Sequence, residues 1–239
     1  MLIEVCVNSL QSAINAQQAG ADRIELCSEL GVGGITPSYG LIRMVREALT
    51  IPIHVLVRPR GGHFTYSETE FEVMLEDVRQ CHALGVDGIV SGILHEDATL
   101  DATRTQKLIA TAMPLHFTFH RAFDWIPNPE ATLEQLEHFN VNTVLTSGQQ
   151  QHAEMGLKNL EQWQGNTKMT IMAGSGVTPV NVLKFKKVGL RAAHLSGTRF
   201  ENEVSTDHKI PMTSEKHLQE HRVAVTNEEI IRQTVRAVK

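Results

Sequence analysis

Eight short apolar runs, each followed by a helical stretch, constrain the fold more than any other feature of this chain. They cover residues 3–7, 23–27, 53–58, 88–92, 115–120, 143–146, 170–173 and 192–196. Most are rich in β-branched or aromatic residues and end at Gly, Pro or a polar residue, as strands do. Helix signals fill the gaps. Thr36-Pro37, Asn128-Pro129 and Thr178-Pro179 read as N-caps followed by Pro at the first helical position. The pairs Ser67 with Glu70 and Thr226 with Glu229 read as capping boxes. Gly20, Gly85 and Gly189 each follow a helical stretch and precede a strand, the usual C-terminal stop. Alternating strands and helices build a parallel sheet. Eight such units in 239 residues predict one α/β domain over 1–239, a single (β/α)8 TIM-type barrel. A doubly wound open sheet is the competing arrangement, and no Gly-rich dinucleotide fingerprint follows the first strand to support it.

A weak internal repeat agrees with this alternation. Gly20-Ala21-Asp22-Arg23-Ile24 resembles Gly85-Val86-Asp87-Gly88-Ile89, and Pro52-Ile53-His54-Val55 resembles Pro114-Leu115-His116-Phe117. Each pair is two strand-helix units apart. The segment 197–225 breaks the pattern. It is polar and charged, carries His208, His217 and His221, and predicts a long irregular loop before the last helix.

Composition narrows the partners. Lys and Arg number 22 against 27 Asp and Glu, a net charge of −5, which argues against a nucleic-acid or anionic-membrane surface. No apolar run approaches ~18 residues, so neither a signal peptide nor a membrane span is expected. The cysteines are Cys6, Cys27 and Cys81. An odd, sparse count predicts reduced thiols in a cytoplasmic protein. Cys81 lies in a helical stretch and reads as a small core residue.

Chemistry in such barrels sits at the C-terminal ends of the strands. Two of those ends carry the same pattern, Glu4-Val5-Cys6 and Glu25-Leu26-Cys27. Residues i and i+2 of a strand point the same way, so each strand aims a carboxylate and a thiol at one face. Arg58 with Arg60, Thr118 with His120, and His194 with Ser196 have the same spacing. The expected barrel mouth therefore holds two carboxylates, two thiols, two arginines and two histidines. Buried charge must be paired, and a Glu–Arg network is one use for these groups. His54 and His116 lie earlier in their strands and read as packed core histidines.

Two functional uses compete with that structural one. Cys6 and Cys27, on adjacent strands, suit Cu(I), which favours soft sulfur; the same spacing permits a disulfide under oxidation. Alternatively, the site moves protons. Glu4 or Glu25, with His120 and nearby Asp124, would supply acid and base. Arg58 and Arg60 would bind an anion, together with Gly174, Gly176 and Ser196 in the glycine-rich loops after the seventh and eighth strands.

Longer stretches resemble a known family. They are 20–27 (GADRIELC), 33–38 (GGITPS), 58–62 (RPRGG), 118–124 (TFHRAFD) and 145–148 (LTSG). These resemble the copper homeostasis protein CutC family, with similarity running from Met1 to about Ser196. The resemblance implies a single TIM-type barrel, a cytoplasmic homodimer and a role in copper handling, with Cys6 and Cys27 at positions that touch Cu(I). One departure is His63, where the family loop usually carries an acidic residue. Copper explains the cysteines and leaves Arg58, Arg60, His120, Arg121, Asp124 and the glycine loops unused. Two readings therefore stand: a Cu(I)-binding homeostasis protein, and an isomerase- or lyase-type enzyme acting on a small phosphorylated or otherwise anionic metabolite.

Overall fold

A computed structural model describes residues 1–201, 204–210, 212 and 220–239. Eight parallel strands close a barrel in chain order. They are β1 (Leu2–Val7), β2 (Arg23–Leu26), β3 (Ile53–Leu56), β4 (Gly88–Ser91), β5 (His116–Phe119), β6 (Thr143–Thr146), β7 (Thr170–Ala173) and β8 (Ala192–Leu195). The helices are α1 (Leu10–Gln18), α2 (Tyr39–Ala48), α3 (Glu68–Ala83), α4 (Ala102–Ala112), α5 (Pro129–His138), α6 (Leu157–Asn166), α7 (Val182–Lys187) and α8 (Glu228–Val238). The alternation read from the sequence is thus a (β/α)8 barrel. Its main apolar core lies between the strands and the helices, where Trp163, Phe71, Phe117 and Phe185 are fully buried. Cys81 joins that core from α3.

Local signals fare unevenly. Ser67 and Glu70 form the expected capping box on α3, and Asn128 caps α5 with Pro129 at its first turn. Three other helix starts shift. Ser38, not Thr36, caps α2, because the Thr36 hydroxyl accepts the Arg58 amide instead. α7 begins after Asn181, whose carboxamide oxygen accepts the Thr178 amide. Asn227 caps α8, because Thr226 is still in a strand.

That strand corrects the reading of 197–225 as wholly irregular. β9 (Thr198–Glu201) and β10 (Val223–Thr226) form an antiparallel two-stranded sheet. The Thr226 amide donates to Ser12 Oγ, and its carbonyl accepts from Asn15, so the pair is anchored on α1. Four-residue strands inside a long polar segment give too little periodicity to read. His217 lies outside the described residues.

The internal repeat has a structural cause. Asp22 precedes β2 and accepts the Ile3 amide of β1 at 2.7 Å. Asp87 precedes β4 and accepts the Ile53 amide of β3 at 2.8 Å. Asn142 does the same before β6 for Phe117 of β5, also at 2.8 Å. Each side chain satisfies a strand-start amide at the N-terminal end of the barrel, where an orphaned donor would carry a desolvation cost.

Inside the barrel, the second repeat places His54 and His116 on β3 and β5 with ring centroids 4.7 Å apart. Gly88 lies between them in register with both. A Cβ at Gly88 would sit 2.5 Å from the His54 ring. Burial pushes the His54 imidazole down to about 3 and His116 down to about 4, with Arg23 adding to both. Both rings are neutral at pH 7.

Gly88→Ala should therefore destabilise the barrel by about 1–3 kcal/mol, the usual range for overpacking, read by urea unfolding. A variant as stable as the parent would show that the ring moves aside freely. The histidines set a pH dependence. Their folded pKa values lie below the unfolded value, so stability is present above the unfolded value of 6.5 and falls as pH drops from there toward about 3. The slope is about 1.4 kcal/mol per pH unit for each buried imidazole. His54→Asn should remove one such increment between pH 6 and pH 4, and an unchanged slope would refute the assignment.

Candidate functional site

A cavity of about 690 Å³ opens at the C-terminal end of the barrel. Cys6, Glu25, Arg58, His120, His194 and Ser196 are among the groups lining it. Under it lies a charged floor. Parallel pairing sets Glu4 opposite Arg23 and His194, and Cys6 opposite Glu25. Glu4 is fully buried. One oxygen accepts from Arg23 Nε at 2.5 Å, and the other bonds His194 Nδ1 at 2.8 Å. Burial pushes the Glu4 carboxyl up, but Arg23, then the His194 hydrogen bond, outweigh it and hold the carboxyl far below the usual range.

An ionised carboxylate can only accept, so Nδ1 of His194 carries the proton it shares with Glu4. Nε2 then faces Glu25, whose Oε2 lies 3.7 Å away. Burial raises the Glu25 carboxyl above the usual value. Burial would lower His194, but Glu25 and then Glu4 outweigh it and raise it. Glu25 and His194 are therefore a facing acid/base pair in the cavity wall, and Glu4 fixes the imidazole from behind.

The cysteines sit beside that pair. The two Sγ atoms are 3.5 Å apart, and all three cysteines are free thiols. Only Cys6 lines the cavity; Cys27 is fully buried, and its thiol donates to the Val7 carbonyl. Contact with Cys27, then burial and the Glu25 charge, push the Cys6 thiol well up.

The arginines part company. Arg58 is buried, with its guanidinium donating to the carbonyls of Val32, Gly34 and Gly62 and lying over the Phe64 ring. Its Nε is buried without a partner, and no carboxylate among the described residues lies within salt-bridge distance of it. Arg60, expected beside it, does not line the cavity. It binds Glu70 at 2.6 Å and the Thr65 carbonyl. β3 ends at Leu56, so the two-residue alternation no longer holds at residue 60.

The remaining expected residues also divide. His120 lines the cavity, but burial and then Arg58 push its imidazole down to about 3, so it is neutral. Its Nδ1 accepts the Ala122 amide, which leaves the proton on Nε2, buried and unpartnered. That is the wrong state for the general acid expected there. Asp124 does not line the cavity. Its carboxylate accepts from Thr146, Ser147 and Arg121, tying the 3-10 turn Arg121–Trp125 to the end of β6. Gly176 and Ser196 line the cavity, whereas Gly174 packs under Leu145, where a Cβ would come within 2.5 Å.

His194 and Arg23 are the groups the sequence left without a role. The signal for Arg23 was available: it shares inward parity with Glu25, one turn of the pleat below. His194 needed the barrel to close, because its partners come from β1 and β2, 190 and 169 residues away in the chain.

Comparison with known proteins agrees with this framework. The CutC family model matches residues 1–199. The chain is 46% identical to a family protein CutC from Photorhabdus laumondii over 212 residues, 88% of this chain and 86% of that one. It is 43% identical to the Pectobacterium atrosepticum protein over 239 residues, 99% of this chain and 95% of that one. A crystal structure of CutC from Streptococcus agalactiae, described as a candidate copper homeostasis protein, superposes with a TM-score of 0.79 at 32% identity, over 82% of this chain and 98% of that one. Thiamine phosphate pyrophosphorylase from Pyrococcus furiosus, at 13% identity and a TM-score of 0.60, shares the fold alone. With a family model spanning most of its length, and relatives above 40% identity, this chain belongs to the CutC family.

Proposed function

We propose that the protein takes part in copper homeostasis by holding Cu(I) between Cys6 and Cys27 at the barrel mouth. The observation that carries this reading is the pair of free thiols with Sγ atoms 3.5 Å apart, one of them in the cavity wall. Cu(I) accepts low coordination by soft sulfur, and small rotations would open this pair to receive it. Cu(I) binds thiolates, so uptake by these free thiols should release protons. The copper role described for the Streptococcus agalactiae relative supports the same reading. The reducing cytoplasm and the homodimer implied by the family resemblance belong with it, and the net charge of −5 argues against a nucleic-acid partner.

One observation favours a second reading. Arg58 is a buried cation with no carboxylate beside it among the described residues, and it lines a cavity that also holds the Glu25–His194 pair. An uncompensated buried charge is costly, and a bound anion would relieve it. This reading is an enzyme that moves a proton on a small anionic metabolite, with Glu25 and His194 as acid and base and Glu4 as the group that positions the imidazole.

Both readings have direct tests. Anaerobic Cu(I) titration against a competing chelator should show that Cys6→Ala/Cys27→Ala loses more affinity than the ~10–100-fold that an outer-shell change costs. Equal affinity in the double variant would remove the copper site. For the second reading, inorganic phosphate should raise the melting temperature of the parent protein, since a ligand bound only to the folded state stabilises it. Arg58→Gln should abolish that increase, and an undiminished increase would place the anion elsewhere.

A further inference from the structure

Cys6, Glu25 and His194 make a second, chemically distinct use of the same wall. Their ligand atoms, one each of sulfur, oxygen and nitrogen, all lie within 4.8 Å of one another. Cys6 and Glu25 are buried, and His194 is nearly so. We propose that these three side chains form a binding site for a divalent transition cation, Zn2+ foremost, with a fourth coordination position open to the cavity.

Four observations carry the assignment. The donor set is mixed: thiolate, imidazole and carboxylate together suit Zn2+ better than Cu(I), which would prefer sulfur throughout. The spacing is close to what a tetrahedral ion needs. Bonds of ~2.0–2.3 Å give donor–donor edges of ~3.3–3.8 Å, and the observed edge between His194 Nε2 and Glu25 Oε2 is 3.7 Å. The charges balance: the ion would displace the Cys6 thiol proton to solvent, and the resulting thiolate with the Glu25 carboxylate would neutralise it in a site where a net charge would be costly. Finally, the histidine is already oriented. His194 donates Nδ1–H to Glu4, which pairs with Arg23, and this turns Nε2, the nitrogen that would bind the ion once free of any proton, toward the other two ligands. A carboxylate behind the far nitrogen is the usual outer-shell support of a metal-bound histidine. Nothing else described for Glu4 requires His194 to face Glu25.

Three protein ligands and one open position form the pattern of a catalytic zinc rather than a structural one. The open position faces the cavity that also contains Arg58. An oxygen of a small carboxylate or phosphate could reach the ion while a second oxygen reached the guanidinium. This site goes beyond the copper reading and shares only Cys6 with it: Cys27 is a ligand there and is absent from this set, whereas Glu25 and His194 are ligands only here.

The experiment is titration of the full-length protein with Co2+ as a spectroscopic substitute, followed by competition with Zn2+. One equivalent should bind with a sulfur-to-cobalt charge-transfer band. Cys6→Ser should lose the band, and Glu25→Gln and His194→Ala should each weaken binding by more than ~100-fold. Glu4→Gln should weaken it by ~10–100-fold with the band retained, as an outer-shell change does. Cys27→Ser should bind as the parent does. Far-ultraviolet circular dichroism checks that each variant folds. Because buried variants can fail that check, zinc-edge X-ray absorption on the unaltered protein provides an independent measure, expected to show one sulfur and two or more light ligands. Two sulfurs at the zinc, loss of binding in Cys27→Ser, parent-like binding in Glu25→Gln and His194→Ala, or no saturable site would each overturn the proposal. The copper reading stands or falls separately, on Cu(I) affinity in the double cysteine variant.

Discussion

Everything at the mouth of this barrel rests on one buried carboxylate. Glu4 bonds Arg23 with one oxygen and His194 with the other, and a third neighbour, His54, lies 3.9 Å from the arginine-bound oxygen. Neither charge could be buried alone without a penalty of several kcal/mol. Together they join β1, β2 and β8 across the seam where the first and last strands meet. The same contact decides the chemistry above it. It fixes the tautomer of His194, turns Nε2 toward Glu25, and so determines which groups the cavity presents.

The interior is graded along its axis. Leu2 and Ala192, at the starts of β1 and β8, pack with Met172 and Leu145 in a small apolar cluster that Leu145 extends to the cavity, and Arg23 reaches the Met172 sulfur. Above it come the Glu4 network and the paired imidazoles. Higher still, Cys6, Cys27, Leu56 and Val90 pack as another small cluster. The ionised groups are thus held between apolar layers, where water cannot screen them and each interaction is stronger than at a surface. Arg58 at the rim is the exception, satisfied by carbonyl oxygens and, among the described residues, by no opposite charge.

The fold was legible in the sequence because its signals are local and repeated. Residues 143–146 and 170–173 match strands β6 and β7 at both ends, and Gly20, Gly85 and Gly189 all adopt the left-handed conformation expected of helix stops. The site was legible only in part. Inward parity correctly grouped Cys6, Glu25 and Arg58 around one cavity. It failed at Arg60, which lies beyond the end of its strand, and Asp124, expected nearby from its place after β5, has its carboxylate claimed by neighbours at the end of β6. It could not rank the histidines. His120 and His194 look alike in sequence, yet one is buried beside an arginine and the other between two carboxylates. Only the closed barrel reveals that difference.

The two-stranded sheet of β9 and β10 has a consequence for how this chain tolerates change. Its strands bring Glu201 and Val223 into register and bind the end of β10 to α1. α8 then packs against α1 and α7 to complete the helical layer. The family match stops at residue 199, before that helix. The sheet therefore works as a clasp: it delivers α8 to its place whatever the chain between the two strands does. Drift in the length of that excursion would be felt as loop-closure entropy, about 0.6 kcal/mol for each doubling, and not as loss of core. The barrel can keep its geometry while this one segment diverges.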